Sequence, residues 1–145
     1  YGDLRRIFQE VVEFRDGRVW NWEGDGATAA FRGAETQLQA TLSAIALIHE
    51  LFFYTTRSRT LTEDLCLRIA VHNGWLQYSN RFENIVGADL DKLVEIESKH
   101  CEPQSVFVSE TIYNGLTNEV AEWLAPVNNS TMPLYRYRLE FEGDR

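Results

Sequence analysis

Residues 17–31 read GRVWNWEGDGATAAF, and no other stretch restricts the possible folds as strongly. Two runs of β-branched, aromatic and small residues, 18–23 and 27–31, flank Gly24-Asp25-Gly26, the composition of a tight hairpin turn. The chain must therefore place two antiparallel strands side by side with an aspartate at their tip. A lone hairpin is marginal in water and needs a helix or further strands against one face. Helical patterns stand on both sides of it. Upstream, Leu4, Ile7, Phe8, Val11 and Phe14 recur at helical spacing, with Asp3 as a candidate N-cap and Asp16-Gly17 as the stop. Downstream, a helix is expected from about Ala34 to Tyr54, with the stripe Leu38, Leu42, Ile45, His49 and Phe52. On such a stripe His49 reads as a core histidine satisfied by a partner rather than as a ligand.

The remaining pattern is strand, helix, strand, short helix, strand. Residues 65–76 alternate as a strand, and Asn84 to Val86 lead into a helix over 87–100. After Pro103 come a short strand at 105–108 and a short helix at 109–116 with Ser109 as its N-cap; residues 134–141 alternate as a last strand. This order predicts an α+β fold with helices packed on one face of a sheet. No repeat or linker divides the chain, and 44% hydrophobic residues in 145 suffice for one core, so residues 1–145 are expected to form one domain.

Charge and composition exclude several classes of function. A formal charge of −8 argues against nucleic-acid binding, which draws its affinity from Lys and Arg neutralising phosphates. The most apolar stretch, 38–54, is interrupted by Gln39, Thr41, Ser43, His49 and Glu50, which predicts no membrane span. The first ten residues lack the apolar region of a secretory signal, so a cytoplasmic location is expected. Cys66 and Cys101 show no metal-ligand spacing with His49, His72 or His100 and read as buried or idle thiols.

Three ordered blocks carry a resemblance. The hairpin, Gly17 to Phe31 with its GDG-x-x-x-x-F, looks like the signature of class III adenylate/guanylate cyclase homology domains. Leu67-Arg68-Ile69-Ala70-Val71-His72-Asn73-Gly74 is similar to that family's strand L-R-I-G-I-H-x-G. Ile85-Val86-Gly87, opening a helix, and then Val106-Phe107-Val108-Ser109 with Tyr113 match the end of the domain. The resemblance spans roughly residues 4–139 and implies a ferredoxin-like, palm-type βαββαβ core with an antiparallel-rich sheet.

The resemblance also implies a chemistry: attack of a ribose 3′-hydroxyl on the α-phosphate of a nucleoside triphosphate, assisted by Mg or Mn. Asp25 falls on the hairpin member of the family's two metal-binding aspartates, and glycines on either side let phosphate and metal approach the backbone. The bland alternative is a plain Asp-Gly turn. The second aspartate belongs to a strand ahead of the helix with which this sequence begins, so the family's first strand and helix are expected to be missing from residues 1–145; Asp3 fits a helix cap and not that role. The two base-reading positions hold Asn21 and Asn84. Amides can both donate and accept, so these two would recognise a base edge unlike the usual adenine or guanine pairing, or else are simply strand-end and turn residues.

The largest departure lies in the helix after Gly87. The family writes G-x-x-V-N-x-A-A-R-L, whose Asn orients the ribose and whose Arg offsets charge on the phosphate. Here those positions hold Asp91 and Glu95. Leu90, Leu93 and Val94 are expected on the buried face, with Asp91, Glu95 and Ser98 on the other. An acid in place of a charge-assisted donor reverses the sign of the interaction.

The leading reading is a catalytically degenerate cyclase homology domain, a nucleotide-binding and dimerising signalling module acting as a homodimer or as the metal half of a cyclase-type heterodimer. The alternative is an active, divergent cyclase converting an NTP, pyrimidines included, to a 3′,5′-cyclic nucleotide and pyrophosphate, as in bacterial antiphage relatives. A palm-type polymerase or GGDEF-like synthase is disfavoured because the GDG lacks that context. Trp20, Trp22 and Trp75 offer aromatic surface for a homodimer interface.

Overall fold

The computed structural model describes residues 2–23, 26–32, 35–58, 68–72, 88–97, 105–128 and 130–138. Helix α1 (Gly2–Phe14) leads into the hairpin β1 (Gly17–Glu23) and β2 (Gly26–Phe31), and then into the long helix α2 (Thr36–Ser58). After these come β3 (Arg68–Val71), α3 (Ala88–Glu95), β4 (Ser105–Ser109), α4 (Glu110–Asn114), α5 (Asn118–Ala121), β5 (Ala125–Pro126) and β6 (Leu134–Arg138). The result is a mixed α+β fold in which antiparallel pairings predominate.

Among the described residues the strands form two sheets. β1 and β2 pair with each other, while the second sheet has the order β3-β4-β6-β5. Within it β3 and β4 run parallel, joined through α3, and the β4–β6 and β6–β5 pairs are antiparallel. β4 lies between β3 and β6, and all five of its residues are buried.

Alternation along β4 divides the core. Val106 and Val108 face Ala44, Ile45 and Ile48 of α2, together with Ile112, Val120 and Leu124 from the segment that follows the strand. Phe107 faces the other way, onto Ile96 and Leu134. Helical residues therefore cover both faces of the sheet, which corrects the expectation of one. Complete burial of side chains of this size stabilises by roughly 1.5–3 kcal/mol each. On the α2 face, Tyr113 of α4 stacks on Tyr135 of β6, with centroids 3.7 Å apart and rings 6° from parallel.

The ends of the first two helices depart from the sequence reading for a local reason. Asp16 takes a left-handed conformation (φ 63°) that closes α1, and Glu35 (φ 59°) does the same just before α2. A left-handed residue cannot belong to a right-handed helix, so α2 starts at Thr36 instead of Ala34, and it continues past Tyr54 to Ser58. Gly17 is needed for closeness: a Cβ there would lie 2.5 Å from the Phe31 ring and 2.7 Å from Val12 Cγ1. α1 begins at Gly2, which puts Asp3 inside its first turn instead of at the cap. Its buried anchor is Val12, whereas Phe14, assigned to the apolar stripe, is 79% exposed.

No helix among the described residues is long and apolar enough to cross a membrane.

Candidate functional site

The hairpin has two unlike faces because of one irregularity. Gly17, Arg18 and Val19 pair with Phe31, Ala30 and Ala29, but the register then steps from Val19 to Asn21, leaving Trp20 without a partner in the ladder. This is a β-bulge. Strict alternation would place Trp20 and Trp22 together on one face. With the extra residue, Trp22 falls instead on the side of Gly17 and Val19, against α1. There its ring meets Phe8 edge-on at 5.3 Å, and the Arg5 guanidinium lies 5.1 Å from its centroid. Asn21, paired with Thr28, turns to the opposite face beside Trp20, Arg18 and Ala30. Trp22 is thus half-buried against α1 within its own chain.

Asn21 is half-buried on that second face of the hairpin. β1 and β2 remain paired as far as Glu23 and Gly26. Gly24 and Asp25, which join them, lie outside the described residues, as do Asn84, Trp75, Cys66, Cys101 and His100.

Asp91 and Glu95 lie one helical turn apart on α3, Asp91 exposed and Glu95 half-buried. The residue that fixes this helix is Ile96, fully buried against Phe107 and Leu134 in a π-type turn over residues 96–97. Leu93, one of the residues expected to do so, is only half-buried, and the side chains of Leu90 and Val94 lie outside the described set, as does Ser98. Among the described residues of one chain α3 contacts β3, and no comparable contact joins it to the hairpin. The structure therefore does not bring Asn21 together with Asp91 and Glu95 in a single copy. Among the described residues no group of three or more His, Cys, Asp or Glu side chains converges to hold a metal ion.

Two polar networks were not assembled from the sequence. At the carboxyl ends of the parallel strands, His72 Nδ1 and the Ser109 hydroxyl share a 2.7 Å hydrogen bond, and Ser109 Oγ lies 3.2 Å from Thr111 Oγ1. Ser109 does occupy the N-cap position of α4, but its side chain makes no cap hydrogen bond because it is committed to this network. His72 fell within the strand expected over 65–76 and Ser109 just after the one over 105–108; only the parallel pairing of β3 with β4 brings them together. In the second network, His49 Nε2 lies 2.7 Å from the Tyr137 hydroxyl, so His49 is the satisfied core histidine expected. Burial pushes the Tyr137 phenol above its ordinary range.

No protein-family model and no curated protein matches the chain. Solved structures do. An adenylate/guanylate cyclase/hydrolase from Silicibacter pomeroyi superposes with a TM-score of 0.71 at 19% identity, covering 94% of this chain and 81% of its own. The monomeric guanylyl cyclase domain of the RhoGC fusion protein from Blastocladiella emersonii gives 0.76 at 14% identity, covering 94% and 77%. The guanylate cyclase domain of RhGC from Catenaria anguillulae, in complex with GTP, gives 0.66 at 12% identity, covering 94% and 79%. The chain has the fold of adenylate and guanylate cyclase domains.

Proposed function

We propose that this chain is a nucleotide-binding, dimerising domain of the cyclase fold whose homodimer turns over nucleoside triphosphate poorly or not at all. The observation that carries the reading is the pair Asp91 and Glu95 on one turn of α3. They stand where the resemblance calls for an amide and a guanidinium. Like charges in a partly desolvated cleft repel more strongly than in bulk water, so two carboxylates facing a triphosphate weaken its binding and oppose charge growth during transfer.

Nucleotide recognition falls to Asn21 on the hairpin and to Asn84. Asp25 would offer one carboxylate to Mg or Mn, which when bound would neutralise phosphate charge. That is one carboxylate where the resemblance calls for two, so no step of the reaction is assigned to the ion. Dimerisation is supported by the separation of the two halves: α3 lies against β3 in its own chain, and a second copy would be needed to set it opposite a hairpin. The GTP complex of the Catenaria domain, which has the same fold, supports a nucleoside triphosphate as ligand.

The test is incubation with each NTP and Mn²⁺ or Mg²⁺, with mass spectrometry for cyclic product, beside titration of the Asp91→Asn/Glu95→Arg variant. The expected outcome is little or no cyclic nucleotide from the unmodified chain and tighter NTP binding by the variant. Robust cyclic-nucleotide production would establish the opposite reading, an active divergent cyclase.

A further inference from the structure

The bulge also decides which residues of the two strands meet. Had the register of Gly17, Arg18 and Val19 continued, Trp20 would stand opposite Thr28 and Asn21 opposite Ala27; after the step, Asn21 pairs with Thr28 instead. Directly opposed residues of an antiparallel pair project to the same face, with Cβ atoms about 4.5–5.5 Å apart. That face is the one turned away from α1, since Thr28 stands two residues from Ala30, which lines the cleft beside Arg18 and Trp20. Both side chains are half-buried, and neither hydrogen-bonds another described residue. An amide and a hydroxyl thus stand side by side on the face assigned to recognition.

We propose that Thr28 is a further base-reading group of the nucleotide site, acting beside Asn21, and that it selects against adenine. The inference rests on the nucleotide reading of Asn21. A carboxamide offers a donor and an acceptor side by side, and a hydroxyl turns to serve as either, so the pair presents three groups to a base edge. That number separates the bases. The Watson–Crick edges of guanine, cytosine and uracil each carry three donors or acceptors in a row, whereas adenine carries two, its 6-amino group and N1, followed by a C–H. Asn21 alone satisfies two neighbouring positions on any of the four, because turning its amide over exchanges donor and acceptor. Thr28 then meets the third position: it donates to O2 of cytosine or uracil and accepts from the 2-amino group of guanine. Against adenine the hydroxyl faces a C–H in a partly dehydrated site and goes without a partner. A polar group left unpaired in this way discriminates between ligands more sharply than a lost apolar contact.

Calorimetric titration of the whole chain with ATP, GTP, CTP and UTP in turn, under one fixed concentration of Mg²⁺, tests it. The tightest ligand is expected to carry one of the three-group bases, with ATP about tenfold weaker or more. Thr28→Val keeps the β-branched shape and removes the hydroxyl. It should weaken that tightest ligand about tenfold and leave ATP within about twofold, so that the preference disappears while the circular dichroism spectrum is unchanged. Thr28→Ser retains the hydroxyl and should retain the preference. A merely structural role for Thr28 would lower all four affinities together. The inference is overturned if ATP binds as tightly as the best of the other three, if Thr28→Val weakens all four equally, or if Thr28→Ser behaves like Thr28→Val. The ranking shown by the unmodified chain is a test in itself, whatever the variants do to folding. Absence of binding by all four removes the nucleotide reading and the inference with it, whereas binding of all four without preference removes the inference alone.

Discussion

The two sheets of this molecule are built on different terms. In the second sheet every residue of β4 is buried, with α2 on one side and Ile96 on the other. Among the described residues the β1–β2 hairpin packs against α1 and, through β2, against α2, and none of its described side chains is fully buried. A strand covered on both faces has little freedom to display chemistry. A strand covered on one face can present polar and charged residues without disturbing the core. Burial is concentrated in the first region, and the proposed recognition surface lies on the second.

The strongest way to break this contrast is Phe107→Ala, which empties a site covered on both faces and should cost about 3–5 kcal/mol in urea unfolding. Truncation of half-buried Trp20 on the bulge should cost much less, and equal costs would refute the division of labour. Gly17→Ala should come next, at about 1–3 kcal/mol, because the added methyl overlaps Phe31 and Val12 where the hairpin meets α1. If it is neutral by thermal melting, that junction is softer than its contacts indicate. Ser109→Ala removes the hydroxyl bonded to His72 and should cost about 1–2 kcal/mol, seen as a lower urea midpoint at unchanged slope. The smallest effect is expected for Tyr137→Phe, about 1 kcal/mol for the lost bond to His49. That variant also sharpens the comparison through pH. The folded state favours the neutral phenol, so the contribution of Tyr137 is intact below its unfolded value near 10 and declines as pH rises beyond it. Without the phenol, the alkaline fall in stability should be shallower.

Much of this architecture could be read from periodicity, and the exceptions share a cause. The hairpin, α1, α2, β4, α4 and β6 have enough residues, or clear enough turn chemistry, to leave a pattern. α5 has four residues and β5 two, about one period each and so too short for a pattern to recur, and neither was anticipated. Ile96 escaped because the π-type turn shifts helical phase just after Leu93. On the site side, Asn21, Asp91 and Glu95 were singled out by resemblance and not by spacing.

The bulge at Trp20 makes the hairpin a question of parity. The bulge absorbs one additional residue, so the side chains of Asn21 and Trp22 keep the faces they would have in a regular strand without Trp20. Removing Trp20 would leave Asn21 paired with Thr28 and Trp22 with Ala27 on their present faces, whereas straightening the strand with Trp20 retained would turn Asn21 toward α1 and Trp22 away from it. Any comparison of this chain with others that slides by one position here would then assign the recognition face to the packing face. Which residues share the face of Asn21 is therefore set by the bulge as much as by residue type.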